Sequence, residues 1–186
     1  MKIACLGWGS LIWNPGTLPI HTPWFEDGPL LPIEFARESN DGRITLVLAE
    51  VPRSVQALWA LMKVDDLEEA RVALASREGI TEDNRRYSIG FWDRGSGKSH
   101  GRRADEIGAW ARGRDLDAVI WTNLKQGLKG HGGKLPTCEQ VLQHLRNLSP
   151  EAMERAREYV CKAPCQIDTD YRRAIAAEKG WTAIET

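Results

Sequence analysis

Residues 5–13 read Cys5-Leu6-Gly7-Trp8-Gly9-Ser10-Leu11-Ile12-Trp13. The apolar run from Ile3 to Leu6 predicts a strand, which breaks at Gly7 and Gly9. Two glycines around one bulky residue allow a tight turn and a close approach to a ligand, with backbone N–H groups forming an anion-binding concavity. The alternative is an ordinary strand–loop corner.

Two better-known glycine motifs do not fit the chain. A dinucleotide-binding fingerprint needs a glycine where Ile12 stands. A P-loop that ends at Gly97-Lys98-Ser99 needs one where Trp92 stands. Nucleotide binding through either motif is therefore excluded.

The composition favours one domain, residues 1–186, with neither nucleic acid nor a membrane as partner. The net charge is −1, and no apolar run reaches the roughly 18 residues of a membrane span. The apolar N-terminal stretch is cut by glycines and lacks a small-residue cleavage site, so we expect no signal peptide and a cytoplasmic location. Four scattered cysteines and four scattered histidines predict neither a disulfide scaffold nor a metal site. Composition leaves the oligomeric state open.

Apolar runs predict strands in the first part of the chain, over Ile3–Trp8, Leu31–Arg37, Arg43–Val51, Val55–Val64, Arg86–Trp92 and Asp117–Thr122. The runs that begin at Arg43 and Val55 are separated by Pro52-Arg53-Ser54 and suggest a hairpin. Their dense apolar content indicates strands covered on both faces, as in a closed or heavily packed sheet.

Capping residues predict the helices. Asp65 or Asp66 caps a helix that ends at Gly79, and Ala104–Gly113 is a short helix. Thr137 caps a helix over Cys138–Asn147, and Ser149-Pro150 starts a helix that runs to about Lys162. Asp168 or Thr169 opens the last helix, which ends at Gly180. Residues 1–122 are thus rich in strands and residues 135–186 are helical. This order predicts an α+β domain with a helical C-terminal cover.

The segment 125–134 is rich in glycine and lysine. Such a composition predicts a flexible loop, either a lid over an anionic ligand or a plain solvated connection.

The stretch from Gly7 to Trp13 closely resembles the G-Y-G-S-L-I-W signature of the γ-glutamylcyclotransferase superfamily, in particular its glutathione-degrading ChaC-like branch. Further stretches match in the same order. Arg37–Arg43 resembles the branch's Ser-x-Asp-x-Arg segment, and Val55–Leu61 is similar to its V-W-G-V-A strand. Arg77-Glu78-Gly79 stands where the family has a helix that ends in Arg-Glu-Lys-Gly-Gly. The resemblance covers roughly residues 3–92.

The resemblance implies a small mixed β-barrel with flanking helices, and an enzyme without metal or organic cofactor. Members convert a γ-glutamyl amide to 5-oxoproline and release the amine. The resemblance places the acid/base glutamate at Glu78 and the backbone cradle for the glutamyl moiety at Gly7, Trp8, Gly9, Ser10 and Leu11. Ring closure by the substrate's own α-amine requires a group that accepts and returns a proton, fixed N–H donors, and a bent substrate, but no nucleophilic side chain.

Each of these residues also has an ordinary structural explanation. Glu78 can be a solvated carboxylate at a helix end, although a negative charge there opposes the helix dipole; Glu82 is its nearest substitute. The Ser10 hydroxyl binds a substrate carboxylate or stabilises the turn. Arg43 pairs with a substrate carboxylate or is a strand-end surface charge, and Asp41 is first of all a turn residue.

Two departures from the signature bear on the substrate. Trp8 replaces a tyrosine, and Gly79-Ile80 replaces Lys-Gly-Gly after the glutamate. Both changes make glutathione a less expected substrate than another γ-glutamyl amide. Two alternatives stand beside the enzyme hypothesis: a ligand-binding or regulatory module on the same fold, and an amide hydrolase or transferase in which water or an outside amine attacks.

Overall fold

The computed structural model describes residues 1–184, which form a mixed α+β fold with six helices. Glu185 and Thr186, which the domain prediction includes, lie outside the described residues. The described chain divides into two compact units. Unit 1 consists of Met1–Gly7, Asn14–Leu31 and Gln56–Leu124, and unit 2 consists of Trp8–Trp13, Pro32–Val55 and the chain from Lys125 onward. The expectation of one domain over 1–186 stays a prediction.

The strands and helices follow each other along the chain. The strands are β1 (Ile3–Gly7), β2 (Leu30–Leu31), β3 (Ile33–Glu38), β4 (Ile44–Leu48), β5 (Val55–Gln56), β6 (Leu58–Leu61), β7 (Ile89–Asp93), β8 (Ser99–His100) and β9 (Ala118–Thr122). The helices are α1 (Leu67–Arg77), α2 (Glu82–Ser88), α3 (Ala104–Arg112), α4 (Cys138–Arg146), α5 (Pro150–Lys162) and α6 (Asp170–Lys179).

Unit 1 contains a mixed five-stranded sheet in the order β6-β1-β9-β7-β8. β1 runs parallel to β9 and antiparallel to β6. Successive residues on a strand point to opposite faces, and both faces of β7 are covered. Arg71 of α1 lies 4.7 Å from the ring centroid of Phe91, while Gly108 of α3 packs directly against the indole of Trp92.

The described strands do not close into the predicted barrel. Helices on both faces of an open sheet bury its strands as completely as a barrel would, so the apolar runs fit both architectures. The α+β class is confirmed, whereas the closed barrel is wrong for residues 1–184.

An irregular segment, residues 20–28, runs along the outer edge of β6. Phe25 and Trp59 exchange backbone hydrogen bonds of 2.8 and 3.0 Å, and the N–H of His21 donates to the Leu61 carbonyl at 2.8 Å. The N–H of Gly28 donates to Ala57 at 3.1 Å. This edge strap, residues 20–28, satisfies backbone groups that an edge strand otherwise presents to solvent.

Unit 2 is built on a β3–β4 hairpin and the helices α4 to α6. The turn between the two strands closes through Ser39 and Arg43, whose backbone N–H and carbonyl lie 2.8 Å apart. Asp41 accepts hydrogen bonds from the Ser39 hydroxyl and the Arg43 N–H, as its turn role predicts. The predicted hairpin across Pro52-Arg53-Ser54 is wrong, because this shorter connection already pairs β4 with β3 while β6 pairs with β1.

The predicted helix caps are confirmed. Asp66, Thr137, Ser149 and Thr169 each accept a backbone N–H in the first turn of their helix. Gly79 and Gly180 end α1 and α6 with φ of +64° and +71°, which glycine adopts without strain. The strand predicted from Arg86 begins only at Ile89, because the preceding residues form α2. Thr81 and the acidic Glu82 and Asp83 after it are the helix-start signal there.

Candidate functional site

The predicted cradle forms a turn directly after β1. Gly7 is the last residue of β1, and the N–H of Ile12 donates to the Gly9 carbonyl at 3.0 Å. Trp8 is 3% exposed and Leu11 5% exposed, whereas Ser10 is half-buried. The predicted turn is therefore present, with the apolar side chains packed inward and Ser10 nearer the solvent.

At Gly9 of the cradle a side chain has no room. A Cβ atom placed there would collide with the Tyr159 hydroxyl oxygen and lie 3.3 Å from Cζ of the same ring. The glycine is required by this close approach of a side chain on α5, within unit 2.

Glu78 lies at the C-terminal end of α1, as predicted. Its backbone N–H donates to the Leu74 carbonyl at 3.0 Å, and its side chain is 17% exposed. Arg77 donates to Glu78 Oε1 at 2.6 Å and also donates to the Asn14 carbonyl at 2.5 Å. The carboxylate is thus partly shielded and held by a neighbouring arginine, unlike a freely solvated helix-end residue.

The pKa of Cys5, on β1, responds to the charge of Glu78. Burial strongly raises the pKa of the Cys5 thiol, and the negative charge of Glu78 raises it further, whereas the positive charge of Arg77 lowers it. The thiol stays protonated near neutral pH and is no nucleophile. The charge on Glu78 therefore reaches the Cys5 side chain of β1, the strand that ends at Gly7, and all four of these residues belong to unit 1.

Arg43 has both a turn partner and an aromatic partner in unit 2. Its Nε lies 2.8 Å from Asp41 Oδ2, and its Cζ lies 5.6 Å from the ring centroid of Tyr159. The side chain is 33% exposed. These contacts orient the guanidinium group, a planar group suited to a carboxylate ligand.

The structure distributes the predicted residues over the two units. Gly7 and Glu78 belong to unit 1, whereas Trp8, Gly9, Ser10, Leu11 and Arg43 belong to unit 2. Glu82, the alternative to Glu78, is exposed in the first turn of α2. The assignment of a catalytic role to Glu78 and a binding role to the others stays a prediction.

Near its start, the segment 125–134 has two residues hydrogen-bonded to β3 and to the chain just after β4. Gln126 is 4% exposed and accepts the Glu50 N–H at 2.9 Å, while the N–H of Gly127 donates to the Ala36 carbonyl at 2.7 Å. Lys129 lies 3.6 Å from Glu38 Oε1. This lysine, one of those that suggested an anion-binding lid, is thus paired within unit 2.

Two functional candidates were missed from the sequence. Tyr159 stands in an amphipathic helix with no motif around it, and only its phenol distinguishes it from an ordinary core residue. Arg77 directly precedes Glu78 in the sequence. Whether the two side chains pair depends on the backbone geometry at the end of α1, which sequence spacing does not predict.

Residues 1–184 include no group of three or more His, Cys, Asp or Glu side chains arranged to hold a metal ion. In the same range, every helix is too short or too polar to cross a lipid bilayer. No protein-family model, no curated protein and no solved structure matches the chain.

Proposed function

We propose that the chain is a γ-glutamylcyclotransferase-like enzyme, which cyclises a γ-glutamyl amide to 5-oxoproline and releases the amine. Glu78 is its general acid/base, and the loop Gly7–Leu11 binds the glutamyl moiety. The observation that carries the proposal is the position of Glu78: a carboxylate only 17% exposed, close enough to β1 for its charge to contribute to the raised pKa of Cys5, on the strand that leads into the glycine turn.

The chemistry needs one group that moves a proton between two nitrogens. The substrate's α-amine attacks its own γ-carbonyl carbon, so that a new C–N bond closes a five-membered ring and the amide C–N bond breaks. Glu78 takes the proton from the attacking amine and returns it to the departing nitrogen, and no net proton is gained or lost. A single carboxylate suffices because the two nitrogens are bonded to the same carbon in the tetrahedral intermediate.

The remaining catalytic demands are orientation and charge. Backbone N–H groups in the glycine turn supply fixed donors for the developing oxyanion or the substrate carboxylate. Arg43, oriented by Asp41 and Tyr159, is suited to hold a substrate carboxylate. A substrate held in the bent conformation gains the rate advantage of an intramolecular reaction.

The test is 5-oxoproline release from a panel of γ-glutamyl amides, with the wild type and Glu78→Gln in parallel. The panel includes glutathione, γ-glutamyl dipeptides and γ-glutamylamines. Loss of a general acid/base is expected to lower kcat by about 10²- to 10⁴-fold. Glu82→Gln, at an exposed carboxylate four residues further on, is the matched control and is expected to retain full turnover.

Turnover that survives Glu78→Gln overturns the assignment of the residue. No 5-oxoproline from any amide overturns the reaction, and free glutamate in its place identifies a hydrolase.

The Arg77–Glu78 ion pair favours a second candidate, a ligand-binding module without turnover. An arginine at 2.6 Å gives the carboxylate a structural partner that does not require proton transfer. In that case the Glu78→Gln variant binds 5-oxoproline or glutamate as the wild type does by calorimetry, and neither protein converts a γ-glutamyl amide.

A further inference from the structure

We infer that Tyr159 on α5 is a positioning residue for the loop Trp8–Trp13, acting through Gly9. The loop's role in binding rests on the proposed function, but its placement by Tyr159 does not. The sequence predicts the C-terminal helices only as a cover of the domain, whereas this contact makes α5 a support of the glycine turn.

Tyr159 sits at the centre of several contacts within unit 2 and is 6% exposed. Its ring meets Trp13 edge-on at a centroid distance of 5.3 Å and Phe35 at 6.3 Å, and it lies under the Arg43 guanidinium at 5.6 Å. Contacts on several sides of the ring leave it little rotational freedom. The ring is thus a rigid support for whatever packs against it.

The phenol oxygen is fixed as well. The backbone N–H of Leu46 on β4 donates to Tyr159 Oη at 3.3 Å. The same oxygen occupies the space into which a Cβ at position 9 would project. The backbone at Gly9 therefore rests on an atom whose place is set by β4 and α5, and Trp13 secures the other end of the loop on the same ring.

This arrangement predicts that positions 9 and 159 are energetically coupled. In Gly9→Ala, the new methyl group must move away from the phenol oxygen by on the order of 1 Å, because carbon atoms pack at about 3.5–4.0 Å. In Tyr159→Phe the oxygen is gone, and the nearest ring atom lies 3.3 Å from the new Cβ, a tight contact that a small shift relieves. The damage done by Gly9→Ala is therefore smaller in the Tyr159→Phe background.

The experiment is a double-mutant cycle with Gly9→Ala and Tyr159→Phe. The loop is observed through the indole N–H resonances of Trp8 and Trp13 in ¹H–¹⁵N spectra, assigned with Trp→Phe variants. In parallel, kcat/KM is measured on the best γ-glutamyl amide. Gly90→Ala is the matched control, since its Cβ would collide with the Trp121 indole in unit 1; it is expected to lower Tm without moving the two loop resonances.

We expect Gly9→Ala to shift both loop resonances and to lower kcat/KM by about 100-fold, the effect of a misplacement of about 1 Å. In the Tyr159→Phe background the shifts shrink and the loss falls below about 10-fold. Equal effects in both backgrounds, or resonances that do not move, overturn the inference. Should Gly9→Ala not fold, folding of the double variant supports the coupling. Should neither variant fold, unmoved loop resonances in Tyr159→Phe alone overturn it.

The two proposals fail separately. A wild type without turnover overturns the proposed function, while the indole resonances still decide whether Tyr159 positions the loop.

Discussion

The two compact units differ in how they enclose polar groups. In unit 2 the buried polar side chains are Glu34, Gln126, Thr169 and Arg172, and each has hydrogen-bond partners. In unit 1 the enclosed atoms Trp24 Nε1, Arg71 Nε, His100 Nε2 and Trp121 Nε1 have no partner among the described residues. Unit 2 thus pairs its buried polar side chains specifically, whereas unit 1 encloses four nitrogen atoms without a described protein partner.

Arg172 shows the pairing in unit 2 most clearly. Its two terminal nitrogens donate to the carbonyls of Val160, Ala163, Pro164 and Ile167 at 2.6–3.1 Å. These carbonyls lie at the end of α5 and in the turn after it, where a helix leaves its last acceptors without partners. One side chain of α6 therefore completes the C-terminus of α5.

The largest effect is expected for Arg172→Met. The methionine keeps most of the apolar stem but removes the donors of the buried carbonyls of Val160, Ala163 and Ile167, whereas the half-buried Pro164 carbonyl keeps the Ile167 N–H. The expected cost is about 3–5 kcal/mol in the free energy of unfolding. Urea denaturation at neutral pH measures it. Arg173→Met, at a half-exposed neighbour on the same helix, is the control and is expected to cost less than about 1 kcal/mol. A loss below about 1 kcal/mol for Arg172→Met would contradict the contrast between the units.

A smaller effect is expected in the pH dependence of stability at Glu34. Burial raises the pKa of this carboxyl above its ordinary 4.5, although hydrogen bonds from Thr169 and from the backbone of Phe35 and Tyr171 act in the opposite direction. The folded protein then keeps the proton at a pH where the unfolded chain has lost it. The stabilisation is complete below about pH 4.5 and is lost as the pH rises through the folded pKa.

Glu34→Gln is therefore expected to lose this part of the pH dependence of stability. Unfolding curves at several pH values above about 4 measure the difference from the wild type. Asp27→Asn in unit 1 is the control of opposite sign: a hydrogen bond from the Trp59 indole, with Arg114, lowers the pKa of Asp27. The stability that Asp27 contributes is lost as the pH falls through the pKa of this carboxyl in the folded protein. A wild-type minus Glu34→Gln difference that grows with pH would contradict the assignment.

The smallest effect is expected for Arg71→Met in unit 1. Its Nε has no partner to lose, and its terminal nitrogen pairs with Glu68, a half-exposed carboxylate, at 2.6 Å. A methionine retains the packing on Phe91, so the free energy of unfolding changes by less than about 1 kcal/mol. The same urea experiment compares it with Arg172→Met. Equal losses for the two variants would remove the distinction between the units.

Local signals in the sequence predicted the helices better than the strand pairing. Asp66, Thr137, Ser149 and Thr169 act on the residues that follow them directly, so their caps could be predicted without knowledge of the fold. Which strand pairs with β4 is decided by competition between distant segments. The Ser39–Arg43 turn, only a few residues long, prevailed over the Pro52-containing connection.

The candidate site was predicted in part for the same reason. The turn at Gly7–Leu11 and the position of Glu78 at a helix end follow from local patterns. The contact of Tyr159 with Gly9 joins residues 150 positions apart. A glycine in the sequence indicates only that another group approaches the backbone closely at that position. The partial burial of Glu78 likewise depends on packing that spacing does not encode.

The edge strap along β6 has a consequence for the behaviour of the protein in concentrated solution. Residues 20–28 occupy hydrogen-bonding positions that a strand of another molecule would otherwise use. At the opposite edge of the sheet, β8 has only two residues and offers little template. A proteolytic cut or a loosening mutation in the strap would therefore expose the β6 edge and favour intermolecular β-assembly.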